Sequence, residues 1–79
     1  MKIVEIQWVD STAEVAVWEQ KDDYSRELEP INTIGYLIEQ DKEKVIICQS
    51  ESESQYGQSF RIPKGCIKKI KTIKEAKNE

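Results

Sequence analysis

The chain has 79 residues, a net charge of −3, two cysteines and no histidine, enough for one domain with one small core and too little for two. Without histidine the commonest general base is missing, and so are the Ser-His and Cys-His nucleophile pairs. Cys48 and Cys66 are not spaced as Cys-x-x-C, and two thiolates without histidine make a poor zinc site. No apolar run exceeds four residues, against the roughly 20 that a membrane-spanning helix needs. Met1-Lys2 leads directly into alternating sequence, not into the apolar core of a signal peptide. These observations predict a cytoplasmic protein that is not an enzyme and has no metal, cofactor or membrane contact. Below about 80 residues, self-association is a common further source of stability, so a homo-oligomer is expected.

In chain order, residues 3–9 alternate, with Val4, Ile6 and Trp8 on one face and Glu5 and Gln7 on the other, the period of a half-buried strand. Asp10-Ser11 breaks the pattern. Ser11-Thr12-Ala13-Glu14 has the spacing of a capping box, yet Val15 and Val17 also alternate, so helix and strand compete over residues 12–20. Residues 20–29 are almost wholly polar and end at Pro30, which suits one helical turn or a packed loop. Residues 33–39 read as a strand with Ile34, Tyr36 and Ile38 on one face and Gly35 and Leu37 on the other. Asp41-Lys42-Glu43-Lys44 is a polar turn. Val45-Ile46-Ile47-Cys48 is a β-branched run of the kind found in a central strand buried on both faces, and it completes a hairpin. Residues 49–58 (QSESESQYGQ) read as a mobile loop or a ragged strand end. Ser59-Phe60-Arg61-Ile62 is a short strand stopped by Pro63, and Pro63-Lys64-Gly65 is a tight turn. A last strand follows, with Ile70 inward and Lys69 and Lys71 outward, and residues 74–79 form a charged tail expected to fray.

This order predicts a mostly β fold over residues 1–73, a small five-stranded barrel of the Src-homology-3 or Sm type with a long loop or short helix after the first strand. The stretches Trp8-Val9-Asp10-Ser11, Ile34-Gly35-Tyr36-Leu37-Ile38-Glu39 and Arg61-Ile62-Pro63-Lys64-Gly65-Cys66-Ile67-Lys68-Lys69-Ile70 resemble a group of short phage- and prophage-encoded proteins. The Ile-Pro-Lys-Gly-Cys-Ile stretch is also similar in layout to the final signature of Sm-like RNA-binding barrels, with Lys64-Gly65 where that signature has arginine-glycine. The phage resemblance implies a stoichiometric role against host defence, either as a sponge for a nucleotide-type immune signal or as an inhibitor of a host protein. The Sm-like layout implies single-stranded nucleic-acid binding.

Charge is divided along the chain. Residues 1–55 carry 5 basic and 13 acidic side chains, and residues 56–79 carry 7 basic and 2 acidic, an acidic body with a basic C-terminal strip. An acidic whole argues against duplex-DNA binding, where phosphate neutralisation dominates affinity. Aromatics interleaved with cations can stack a base and hold its phosphate. The candidate ligand-binding residues are therefore Tyr56, Arg61, Lys64 and Lys68, joined by Trp18 and Tyr24 from the long loop, which in such barrels lies near the same end. Phe60 shares a strand face with Ile62 and Trp8 is patterned inward, so both read as core. Cys66, beside Lys64, Lys68 and Lys69, is the one thiol in an electropositive setting, and it also suits a plug at the barrel end. The partner expected is a small anionic, nucleotide-like ligand or a host protein, ahead of nucleic acid.

Overall fold

A computed structural model of the chain describes residues 1–11, 18, 20–22 and 28–75. The competing helix and strand at 12–20, the helical turn at 20–29 and Tyr24 lie largely or wholly outside the described residues. The elements are β1 (Lys2–Val9), β2 (Pro30–Gln40), β3 (Lys44–Glu51), β4 (Tyr56–Pro63), a 3₁₀ turn at Lys64–Cys66 and β5 (Ile67–Glu75). All five strands are antiparallel in one sheet of order β4-β3-β2-β1-β5, and the described residues contain no α-helix. The fold is mostly β, as the alternation predicted. The sheet is not closed, because β4 and β5 are its two edges and no ladder joins them.

The alternation of β1 sets the two faces. Val4, Ile6 and Trp8 are buried with Val45, Ile47 and Ile62, and Ile31, Leu37, Cys66 and Ile67 pack against them. Glu5 and Gln7 stand on the outer face. All of Val45, Ile46, Ile47 and Cys48 are buried, so the four-residue apolar run is a central strand covered on both sides. Trp8 donates its indole N–H to Thr33 Oγ1 at 2.9 Å, which satisfies the one polar atom that this buried ring carries.

The sheet is curled. Trp8 on β1 and Phe60 on β4 lie three strand spacings apart, about 14 Å in a flat sheet, yet their rings meet edge-on with centroids 5.5 Å apart. β2 produces much of this curl. Its first part pairs with β1 from Val9↔Pro30 to Ile3↔Tyr36, and its second part pairs with β3 from Tyr36↔Cys48 to Gln40↔Val45. Tyr36 alone belongs to both ladders. Ile38 is an extra residue in the second ladder, and Lys68 and Ile73 are extra residues in the β1–β5 ladder; such bulges bend a strand and raise its twist.

Two segments are more regular than their composition suggested. Residues 49–58 read as a mobile loop or a ragged strand end, and the strands prevail: β3 continues to Glu51 and β4 begins at Tyr56. Only Ser52 to Gln55 turn, closed by Ser52 N–H to the Gln55 carbonyl at 2.8 Å and Gln55 N–H to Ser52 Oγ at 3.1 Å. Cross-strand backbone pairing (Ser50↔Gly57, Glu51↔Tyr56) prevails there over weak β-propensity, which depends on context more than on residue type. β5 likewise runs past Ile73, with Lys74 opposite Ile3 and Glu75 opposite Lys2.

The β2–β3 turn is held by one carboxylate. Asp41 Oδ1 accepts the N–H groups of Glu43 at 2.7 Å and Lys44 at 2.9 Å, and Oδ2 accepts Lys44 Nζ at 3.0 Å. The backbone N–H of Glu43, donating to this carboxylate, and the contacts with Lys44 lower its pKa to about 2, and the Asp41–Lys44 contact pushes the Lys44 ammonium up. Lys64 N–H donates to the Glu43 carbonyl at 2.8 Å, which fixes the 3₁₀ turn against this hairpin.

Gly35 is the tightest position. A Cβ there would lie 2.8 Å from the Cys48 carbonyl oxygen and 3.2 Å from Ile47 Cδ1, whereas nothing lies within 4 Å of one at Gly65. Gly35→Ala is expected to cost about 1–3 kcal/mol by overpacking, and Gly65→Ala to stay within about 0.5 kcal/mol of wild type; equal denaturant midpoints would contradict the close approach. Asp41 titrates lower in the folded chain than its ordinary value near 3.9. Its stabilisation is therefore complete above about pH 4 and disappears as pH falls towards about 2. Melting curves of wild type and Asp41→Asn should accordingly differ at neutral pH and converge over that window.

Candidate functional site

β5 brings its cations to the outer face of the sheet. Register places Lys69 opposite Gln7 and Lys71 opposite Glu5, and β1 in turn places Gln7 opposite Asn32 and Glu5 opposite Ile34. Directly opposed residues of an antiparallel pair have Cβ atoms about 4.5–5.5 Å apart, so Lys69, Gln7 and Asn32 form one row and Lys71 and Glu5 the next. Together these five line a shallow outer-face groove of about 140 Å³. Among the described residues the ion pairs are Lys44–Asp41 and the Met1 amino group with Glu75, and none involves Lys68, Lys69 or Lys71. Lys71 and Glu5 face each other without closing to 4 Å. The carboxamides of Gln7 and Asn32 make no hydrogen bond within the described structure.

Two ammonium groups suit one anionic group, and two carboxamides each offer donors and an acceptor. The groove can thus take a ligand that carries both a charged oxygen group and a hydrogen-bonding edge. Glu5, which also lines it, disfavours a second anion beside the first.

The residues singled out from sequence do not form one cluster. Arg61 stands on the outer side of the β3–β4 ladder opposite Ile46, with Nη1 3.5 Å from Ser59 Oγ. Tyr56 is opposite Glu51, on the other side of that ladder, and five residues along a strand is about 17 Å. Lys64 sits in the 3₁₀ turn, its Nζ 3.1 Å from Gln40 Oε1. Lys68 is the extra residue of the first β5 bulge and is exposed, on the strand at the opposite edge of the sheet from Arg61. Trp18 is 91% exposed, so its indole covers none of these cations; Tyr24 is outside the described residues. Sequence reasoning missed Lys69, Lys71, Gln7 and Asn32 as a set. The signal was present in the outward alternation of 5, 7, 69 and 71, but joining them requires the β1–β5 register.

The thiols are separated. Cys48 is fully buried on the ladder side of Tyr36, whereas Cys66 packs against the core face. Burial pushes the Cys48 thiol up, the reverse of an activated nucleophile. Among the described residues no group of His, Cys, Asp and Glu is arranged to hold a metal ion, and no helix is long and apolar enough to cross a membrane. No protein-family model matches the chain, and neither the curated proteins nor the solved structures include a match to it.

Proposed function

We propose that the chain is a non-enzymatic binding protein that holds a small anionic, nucleotide-type ligand on the outer face of β5, β1 and β2. One observation carries the reading: Lys69, Lys71, Gln7 and Asn32 line a single groove, and none has a side-chain partner among the described residues. A phosphate between the lysines leaves a base edge for the carboxamides, which can pair with such an edge through two hydrogen bonds. The resemblance to short phage-encoded proteins extends the reading to sequestration of a nucleotide signal of host defence. A stoichiometric inhibitor of a host protein is the second reading, supported by the acidic body of residues 1–55. An Sm-like nucleic-acid binder fits less well, since a strand of phosphates would meet few cations here.

The curled sheet is read as an open relative of the small five-stranded barrels. The partner switch of β2 and the 3₁₀ turn before β5 support that reading. Self-association belongs to the same proposal, because among the described residues both edge strands, β4 and β5, have a partner strand on one side only. The four lysines of β5 disfavour pairing of two β5 edges with one another.

The test is titration with adenosine monophosphate, followed by calorimetry and by amide chemical shifts. Lys69→Ala and Lys71→Ala should each weaken binding about tenfold or more, the effect of losing one charged hydrogen bond, without lowering the melting temperature. Glu5→Gln should tighten it, and added salt should weaken it modestly. Wild-type binding by both lysine variants would leave β5 as a solvated edge and overturn the proposal.

A further inference from the structure

The partner switch in β2 leaves a gap in the sheet. The β2–β3 ladder ends at Tyr36↔Cys48. Beyond it, among the described residues, 30–35 of β2 pair with β1 alone, and Ser50 and Glu51 of β3 pair with β4 alone. The next rung, Ile34 with Ser50, is not made. In its place the side chain of Gln49 donates Nε2–H to the Ile34 carbonyl at 2.8 Å. That bond shows the Ile34 carbonyl pointing into the gap. In an antiparallel strand a residue's N–H and C=O point to the same side and alternate residues share it, so the backbone groups of Asn32 point there too. Asn32, Ile34, Gln49 and Ser50 are all exposed. Beside the gap lies an outer-face pocket of about 200 Å³ lined by Ile3, Ile34, Gly35, Tyr36 and Gln49, and Ile34 is half exposed in it.

We propose that this gap is a strand-addition site for a basic extended segment of a protein partner. The gap adjoins the anion groove at Asn32, whose side chain lines the groove while its backbone faces the gap; the lysines of the groove lie two strands away on β5. The added segment pairs with the free edge of β2 at Asn32 and Ile34, displaces the Gln49 amide from the Ile34 carbonyl, and sets an aliphatic side chain into the Ile3–Ile34–Tyr36 pocket. Main-chain bonds then supply affinity and the pocket supplies side-chain selection. Charge identifies the occupant. Residues 29–35 and 49–53, which border the gap, carry three carboxylates (Glu29, Glu51 and Glu53) and no lysine or arginine. A phosphate backbone is repelled there, whereas lysines alternating with aliphatic residues face carboxylates on either side.

The probe is an acetylated, amidated peptide of about eight residues alternating valine and lysine, within the usual length of a strand. It is titrated into the whole chain to about millimolar, the limit of weak association. The amide resonances of Asn32, Ile34 and Ser50 should shift, and the first two should gain protection from hydrogen exchange. The same peptide with glutamate in place of lysine, or with its β2-facing amides N-methylated, should not bind. Ile34→Ser should weaken binding about tenfold, as for loss of one buried aliphatic contact. Gln49→Ala should tighten it about threefold to tenfold, because one competing hydrogen bond is removed. Shifts confined to β4 or β5, equal binding of the glutamate peptide, or no effect of either substitution would overturn the proposal. It would be overturned equally if Asn32 and Ile34 shifted with protein concentration alone, which would mean that a second copy fills the gap.

Discussion

Gly35 has no side chain where the carbonyl of Cys48 occupies the space a Cβ would take, 2.8 Å away. This close approach lets β2 lie against the central strand β3 just where it changes partners, and much else in the fold depends on that change. With a side chain at 35 the strands would be held apart, and the inner face would lose the depth in which Val4, Ile6, Ile47 and Ile62 are all excluded from water. Because β2 turns from one ladder to the other at Tyr36, β1 and β4 are carried round until Trp8 and Phe60 touch. The same turn also opens the gap that Gln49 bridges. Curl and gap share one cause.

Among the described residues six buried side chains form the core cluster, and a domain this short buries only about 60% of the surface its unfolded chain exposes. Polar fastenings at the periphery therefore matter more than they would in a larger protein. The Asp41 carboxylate ties the β2–β3 turn, the Glu43 carbonyl receives the 3₁₀ turn, and the Trp8 indole is satisfied by Thr33. Each is local, and each sits where a strand ends or where a core residue carries a polar atom. β5 is the least protected strand, exposed along its length after Ile67, and its lysines keep an otherwise apolar edge of isoleucines in water.

Charge is sorted by strand. The cations gather on β5 and the carboxylates on the segments that border β2 and β3, so the two outer-face features differ in sign although they share one sheet. The groove of Lys69 and Lys71 suits an anion, and the gap beside Ile34 suits a basic chain. One small sheet can present both because alternation puts every second residue outside while the register decides which of them are neighbours.

Composition and alternation alone determined the mostly β class, the inward face of β1, the central position of 45–48, the hairpin at 41–44 and the turn after Pro63. These are local properties: a period of two residues and the chemistry of a turn are written in consecutive positions. Four things were decided by tertiary structure. The extension of β3 and β4 through residues 49–58 came from backbone pairing between strands, which any polar residue can join. The separation of Tyr56 from Arg61 came from the direction and pleat of β4, and the grouping of Lys69, Lys71, Gln7 and Asn32 came from two registers, which set Gln7 opposite Lys69, 62 residues on, and opposite Asn32, 25 residues on. The open sheet and its gap came from a single strand exchanging partners, a choice governed by how closely two backbones can approach. That distance is a property of the assembled core, and no local pattern of side chains encodes it.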